Sequence, residues 1–336
     1  MDRFTLTPHM TRQTVFSGIQ PKRAGLPHIG NYVGALRNWV AMQDEYDAVY
    51  CVVDLHAMTV PYDPPVLRRA TIDTAKTLLA VGVEPRRSLL YYQSDVPQHV
   101  ELAWILSNIT GIGQLERMTQ FKEKSDRSGQ NLGLLAYPVL MAADIMVHKA
   151  HAVPVGDDQT QHLELTRDLA ERFNHRFGEE FPLPEGITPE IGARVMSLTD
   201  PTAKMADSDP SPKSRIHLDE SADSILAKIR SAVTDTGSTV SYDTEEKPGI
   251  SNLIELMSIF TGRAIDDLVT EYADSGYGTF KAAVAEAIIE GLRPIRERFQ
   301  SIDDAEVAAI MTEGAATARD RAEKEMATVR ERVGLS

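Results

Sequence analysis

The chain is short of the residues that mark several large classes of protein. It has one cysteine, Cys51, among 336 residues, which excludes an intramolecular disulfide and suits a reducing cytosol. Cys51 sits in the apolar run Val49-Tyr50-Cys51-Val52-Val53, where a free thiol behaves as a small hydrophobe and is expected to be buried. No apolar run approaches the ~18 residues of a membrane-crossing helix. Met1-Asp2-Arg3-Phe4-Thr5 has neither the apolar stretch nor the small-residue cleavage site of a secretion signal. Aromatic residues are only 6%, and the two tryptophans, Trp39 and Trp104, are expected half-buried on helices. Positive charge is in deficit: 35 Lys and Arg face 49 Asp and Glu, a net charge of −14. That argues against a protein that coats nucleic acid, and leaves room for a local contact surface. The stretch from Ile216 to Ser336 is the more acidic part, with thirteen basic and twenty-three acidic residues and no basic stripe.

Apolar residues make up 42% of the chain, enough for a sizeable core in one large or two ordinary domains. Val15 to Ile19, Ala48 to Val53 and Ser88 to Gln93 read as short buried strands. Asn31 to Tyr46 has helical spacing at Val33, Leu36, Val40 and Met42. Pro64 to Gly82 reads as a helix with Asp63 as N-cap, Pro64 at its first position and Gly82 as its stop. Strands alternating with helices predict an α/β fold with a parallel sheet, whose ligands bind beyond the carboxyl ends of the strands. Val100 to Lys149 is mostly helical, with a polar loop at Ser125 to Gln130; Gln161 to Phe177 is an amphipathic helix. Beyond Ala222 no strand is evident, and Pro248–Thr261, Ala264–Tyr272, Thr279–Phe299 and Asp303–Val333 read as helices, the last interrupted at Gly314. A domain boundary is placed near Ser214: an α/β domain over 12–214 with a helical insertion, and a helical region over 215–336.

Two segments have the character of phosphate-handling loops. In the first, Gln20-Pro21 ends a strand and His28-Ile29-Gly30-Asn31 opens a helix. A helix N-terminus offers free backbone N–H groups to an anion, and glycine at 30 permits close approach. The Gly-x-Gly-x-x-Gly dinucleotide pattern is absent from this loop. The second segment is Lys204-Met205-Ala206-Asp207-Ser208-Asp209, between Ala203 and Pro212. Asp144 stands out for a different reason. It lies in Leu140-Met141-Ala142-Ala143-Asp144-Ile145-Met146-Val147, where a carboxylate is costly unless paired; it reads as a core hydrogen bond or as a ligand acceptor. Asp157-Asp158 reads as an exposed turn, and two adjacent acids alone are a weak metal signal. His148 and His151 lack partners at metal-ligand spacing, so no metal site is assigned.

These segments, with Val53-Asp54-Leu55-His56-Ala57, Arg117-Met118-Thr119-Gln120-Phe121-Lys122-Glu123-Lys124-Ser125, Tyr137-Pro138-Val139-Leu140-Met141-Ala142-Ala143-Asp144, Val153-Pro154-Val155-Gly156-Asp157-Asp158-Gln159, Ser231-Ala232-Val233-Thr234-Asp235 and Lys247-Pro248-Gly249-Ile250-Ser251-Asn252-Leu253, resemble the bacterial tryptophanyl-tRNA synthetases, a class I aminoacyl-tRNA synthetase family. The resemblance runs from about Val15 to the C-terminus. It implies a Rossmann-like catalytic core, a helical anticodon-binding region and a cytoplasmic homodimer. It implies that tryptophan and ATP, with Mg2+ held mainly by the phosphates, give tryptophanyl-adenylate and pyrophosphate, and that tryptophan then passes to its tRNA. By position, Gln20, Pro21, Lys22, Gly30, Asn31, Gly156, Asp157, Asp158, Val195, Lys204, Met205, Ala206, Asp207 and Ser208 would line the ATP site. Lys204, Lys124, His28 and Asn31 would assist the chemistry. Asp144 would accept the indole N–H, and Phe16, His56, Tyr137, Met141, Val153, Val155 and Gln159 would shape the amino-acid pocket.

The chain departs from the family where charge matters most. The family's Lys-Met-Ser-Lys-Ser reads Lys204-Met205-Ala206-Asp207-Ser208 here, so a lysine is replaced by Asp207. Two like charges ~4 Å apart in a dielectric of ~20 repel by about 4 kcal/mol, less in salt. The loop from Gln20 to Gly30 is about two residues longer than in many relatives and carries Lys22-Arg23, which could return positive charge to the phosphates. An active tryptophan–tRNA ligase, in the form of a main or auxiliary copy, is the leading expectation; a weakened paralogue that binds tryptophan, ATP or tRNA as a regulator is the alternative.

Overall fold

The computed structural model describes residues 12–21, 26–119, 121, 131–156, 159–187 and 194–335. Its centre is a parallel sheet of β1 (Thr14–Ile19), β2 (Asp47–Val52), β3 (Ser88–Tyr92), β4 (Ala152–Pro154) and β5 (Glu185–Ile187). The strand order is β3-β2-β1-β4-β5. β1 runs against β2 from Thr14 opposite Asp47 to Ile19 opposite Val52, and β2 against β3 from Ala48 opposite Ser88 to Val52 opposite Tyr92. The apolar runs that predict three strands lie in β1, β2 and β3. β4 and β5 have three residues each, too few for a periodic pattern. Between β1 and β4 the strand order reverses, which leaves a crevice beyond the carboxyl ends of both strands.

The helices are α1 (Ile29–Asn31), α2 (Arg37–Glu45), α3 (Asp54–Ala57), α4 (Pro64–Val81), α5 (Gln98–Ser107), α6 (Ile112–Glu116), α7 (Leu132–Met146) and α8 (Thr160–Phe177) in the first part of the chain. Then come α9 (Ala222–Ser231), α10 (Pro248–Thr261), α11 (Ile265–Tyr272), α12 (Gly276–Ser301) and α13 (Asp304–Val333). α4 has the ends read from its sequence: the Asp63 side chain accepts from Val66 N, and Gly82 leaves in the left-handed conformation at φ 112°. The helix expected from Asn31 starts at Ile29 and passes through a π-helical segment, Tyr32–Leu36, into α2. Cys51 is fully buried, and Trp39 is buried with its ring stacked on Tyr50 at 4.7 Å. Trp104 departs from expectation: its residue is 73% exposed on α5. The loop expected at 125–130 lies outside the described residues.

Gly314 does not interrupt the last helix. α13 runs unbroken from Asp304 to Val333, and a Cβ at 314 would lie 1.8 Å from the Leu90 carbonyl oxygen. The glycine is there because α13 presses on β3, with Ala315, Ala318 and Ala322 buried beside it at helical spacing. Residues after Ser214 divide among three cores, with Ile302, Val307 and Met311 joining the one that holds Trp39, Tyr50 and Leu78. Ala315, Ala318, Ala322, Met326 and Val329 join the sheet core with Phe16, Cys51 and Tyr91. Ile225, Leu253, Phe280 and Ile288 of the preceding helices form a second core, which reaches Ile29, Val195 and Met205 beside the crevice. Among the described residues no helix is long and apolar enough to cross a membrane.

Candidate active site

A cavity of about 440 Å³ opens at the crevice, lined by residues from the ends of β1, β2 and β4 and from one face of α7. α7 starts where the Asn131 side chain accepts from Leu134 N at 2.8 Å. Its helical repeat then puts Tyr137, Met141 and Asp144 on the same side, facing the cavity. Phe16, Gln20, Asn31, His56, Val153, Val155 and Gln159 complete the wall. Phe16 is buried, stacked on His148 at 6.0 Å. The Tyr137 hydroxyl is 2.8 Å from His162 Nε2.

Asp144 is 1% exposed, and its carboxylate is surrounded by nitrogen. Gln93 Nε2 donates to both oxygens, at 2.7 and 2.8 Å. His56 Nε2 is 2.8 Å from Oδ2, and His99 Nδ1 is 2.8 Å from Oδ1. Burial alone would raise the carboxyl's pKa; the bond from His56, the approach of His99 and their charges outweigh it and hold it at about 2. The network continues inward. The Tyr91 hydroxyl bridges His99 Nε2 at 3.0 Å and His148 Nε2 at 2.6 Å. Burial, then the charge of His99, pushes His148 well below the usual imidazole range. The His99–Tyr91–His148 chain can be ordered so that each of its two bonds has one donor. Gln93, His99, Tyr91 and His148 have no part in the sequence-level site. The signal available was position: Gln93 directly follows β3, at the carboxyl edge where site residues collect.

The other end of the cleft is built mainly from backbone. Ile29 N donates to Ile216 O at 2.8 Å, Leu218 N to Pro27 O at 3.1 Å, and His217 Nδ1 to Leu26 O at 2.7 Å, zipping the first phosphate-handling segment to residues 216–218. His28 is 3% exposed. A Cβ at Gly30 would lie 2.9 Å from its ring and 3.6 Å from Met205 Cβ, so glycine lets the two segments close on each other. The second segment starts as a hairpin: Met205 N donates to Val195 O at 3.0 Å and Ser197 N to Ala203 O at 2.8 Å. Asn252 on α10 bonds both the N–H and the carbonyl of Met196. Beyond it, Asp207 Oδ1 is 3.9 Å from His28 Nε2. Asp207 also lines a neighbouring cavity of about 330 Å³ with Gln20, Pro21 and Asp63.

The structure thus gathers Phe16, Gln20, Asn31, His56, Tyr137, Met141, Asp144, Val153, Val155 and Gln159 around one cavity. Pro21 and Asp207 border the adjoining one. Val195 and Met205 are buried beneath the second segment, whereas Gly156, Lys204 and Ser208 are exposed and Ala206 is half-buried. Lys22, Arg23, Lys124, Asp157 and Asp158 lie outside the described residues. Several basic residues of the C-terminal helices are engaged internally: Arg293 pairs with Glu290, Arg296 donates to the carbonyls of Glu220 and Ile289, Arg319 to that of Asp95, and Arg321 pairs with Asp47.

Residues 9–293 match the family of class I tRNA synthetases for W and Y. The tryptophan–tRNA ligase of Caldanaerobacter subterraneus subsp. tengcongensis is 50% identical over 96% of this chain and 98% of that protein. Tryptophan–tRNA ligase 2 of Streptomyces avermitilis is 48% identical, covering 96% and 97%. The crystal structure of the Campylobacter jejuni tryptophanyl-tRNA synthetase, complexed with ADP and tryptophan, superposes with a TM-score of 0.85 at 33% identity, over 96% of this chain and all of that one. Within the class I fold, the chain belongs to the bacterial tryptophan–tRNA ligase family.

Proposed function

We propose that the chain activates L-tryptophan with ATP, releasing pyrophosphate, and then esterifies tryptophan to the 3′ end of its tRNA. The observation that carries the reading is Asp144: a buried, ionised carboxylate on the wall of a cavity sized for an amino acid, at the switch point of a parallel sheet. Asp144 accepts the indole N–H. Phe16, Met141, Val153 and Val155 enclose the ring, and Tyr137 and Gln159 face the ammonium group. A site that hydrogen-bonds an N–H strongly rejects ring analogues without one.

Gln20, Pro21, Gly30 and Asn31 meet ATP from the first segment, with His28 and Asn31 near the phosphates. Gly156 and Val195 border the nucleotide from the other side, and Lys204 to Ser208 close over the triphosphate. Lys22, Lys124, Asp157 and Asp158 belong to the same ATP site by family position. The tryptophan carboxylate attacks the α-phosphorus and pyrophosphate leaves; donors fixed before reaction then stabilise the charge that develops on the phosphoryl oxygens. Magnesium rides on the ATP phosphates. The described residues offer no cluster of three side chains able to hold a metal ion, and no step is assigned to a protein-bound metal.

The helical region over 215–336 reads the anticodon, and the enzyme works in the cytoplasm as a homodimer. Support for the dimer comes from exposed apolar side chains on helices that pack together: Val100 and Trp104 one turn apart on α5, Ile112 on α6 and Leu132 on α7. Tryptophan-dependent exchange of labelled pyrophosphate into ATP tests the reading. Exchange by the native chain supports it. No exchange from the native chain, with exchange from Asp207→Lys, identifies a substrate-binding regulator that has lost its chemistry.

A further inference from the structure

Oδ2 is the crowded oxygen of the Asp144 carboxylate. It is bonded by both Gln93 and His56, which take up the roughly two acceptor positions of one carboxylate oxygen, whereas Oδ1 accepts from Gln93 and has His99 Nδ1 at 2.8 Å without a hydrogen-bond geometry. A substrate N–H that reaches Oδ2 must therefore take the place of one of its two partners. Gln93 and His99 are fully buried and approach from outside the cavity. His56 alone among the partners forms part of the cavity wall, with its side chain 12% exposed.

We propose that His56 is a specificity residue that competes with the indole N–H for Asp144 Oδ2 and leaves that oxygen when tryptophan binds. The proposal rests on the reading of Asp144 as the indole acceptor. The surroundings of His56 let the ring turn while its backbone stays. Its carbonyl accepts from Gln20 Nε2 at 3.3 Å and from Thr59 Oγ1 at 2.9 Å, which anchors the main chain. Its imidazole meets the Tyr137 ring edge-on at a centroid distance of 6.1 Å, so a rotated ring remains on the same aromatic wall. Tryptophan exchanges one N–H donor on Oδ2 for another. An analogue with sulfur in place of the indole N–H cannot make that exchange, and either leaves His56 bonded inside the cavity or strips a buried oxygen of its partner.

The test uses the full chain with ring-nitrogen-labelled histidine, the His56 signal being assigned by its loss in His56→Phe. Saturating tryptophan should move the His56 Nε2 resonance out of its carboxylate-bonded position, and the benzothienyl analogue should leave it there. Titration calorimetry on His56→Phe, which keeps ring bulk and removes the competing N–H, should give tryptophan binding about three- to tenfold tighter than native. A His56 resonance unmoved by tryptophan overturns the proposal, with His56→Asn supplying the assignment if His56→Phe does not fold, and so does weaker tryptophan binding by a folded His56→Phe. Asp144→Asn separates the two levels of argument: unchanged tryptophan affinity there refutes Asp144 as the indole acceptor, whereas a loss with an unmoved His56 refutes the competition alone.

Discussion

The two ends of the cleft hold their charges in opposite ways. At the amino-acid end, Asp144 is buried and met by Gln93, His56 and His99 within 2.8 Å. At the phosphate end, Asp207 has a third of its side chain exposed, and His28 is 3.9 Å away. The first arrangement is a preorganised acceptor: its geometry is set before substrate arrives, so little is lost to reorganisation on binding. The second is a partly exposed carboxylate beyond a hairpin, where water and salt screen it. The family relationship is close over nearly the whole chain, and Asp207 falls at the more exposed of the two ends. Dense hydrogen bonding leaves little tolerance for a changed charge; a solvated loop leaves more.

The largest expected effect comes from breaking the first arrangement. Asp144→Asn turns one acceptor oxygen into an NH2 group facing nitrogen donors. Tryptophan affinity, measured by titration calorimetry, should fall more than tenfold and on the order of 100-fold. Unchanged affinity would sink the assignment. The same carboxylate links stability to pH. Its folded pKa, about 2, lies below its ordinary 3.8, so its contribution is present above pH 3.8 and is lost as pH falls toward 2. Native thermal stability should decline across that window, and Asp144→Asn should flatten that part of the curve.

How much of this was legible in the sequence depends on the range of the interactions. Local rules found β1 to β3 and both ends of α4, because strand runs, N-caps and left-handed glycines act within a few residues. Asp144 was legible from the oddity of a carboxylate in an apolar helix, and Tyr137 and Met141 came from the resemblance rather than from the residues themselves. The partners of Asp144 were not, since Gln93 and His99 meet it only through the sheet's topology. Gly314 was misread for the same reason: in isolation a mid-helix glycine looks like a break, and only the Leu90 carbonyl reveals a close approach. Gly314→Ala should therefore destabilise the fold by about 2 kcal/mol in denaturant titration. If α13 instead shifts to absorb the methyl at no cost, the tight docking on β3 is not required. Either result sharpens the contrast, because α13 supports the β3 side, which carries Gln93, and leaves the phosphate end untouched.

At the phosphate end the expected gain is smaller. Asp207→Lys reverses the charge beside the proposed triphosphate position and should speed pyrophosphate exchange about tenfold, with Asp207→Asn in between. An unchanged rate would mean that the carboxylate turns away from the phosphates or that other cations offset it. Coupling to Lys22→Ala or Arg23→Ala in a double-mutant cycle would identify those cations.

The smallest effect asks whether donor supply, rather than burial, decides how a carboxylate is tolerated. Glu325 on α13 is a third case, 3.0 Å from Lys149 Nζ in a cluster with Glu180, which also takes Lys149 at 2.5 Å and Arg332 at 2.6 Å. Burial raises the Glu325 pKa and the neighbouring Glu180 adds to it, so that despite Lys149 it reaches about 7, whereas Asp144, more deeply buried, sits at about 2. Asp144 keeps its donors to itself; Glu325 shares its lysine with a second carboxylate. An acid raised in the folded state is neutral and harmless below its ordinary value of 4.5 and costs stability as pH climbs through 7. Glu325→Gln mimics the protonated form. It should match the native protein at pH 4 and exceed it at pH 8 by about 1 kcal/mol after allowance for solvent screening, read from paired denaturant titrations. A variant less stable than native at pH 8 would show that the Lys149 pairing outweighs the desolvation, and the sharing of donors would then fail to explain why the two carboxylates differ.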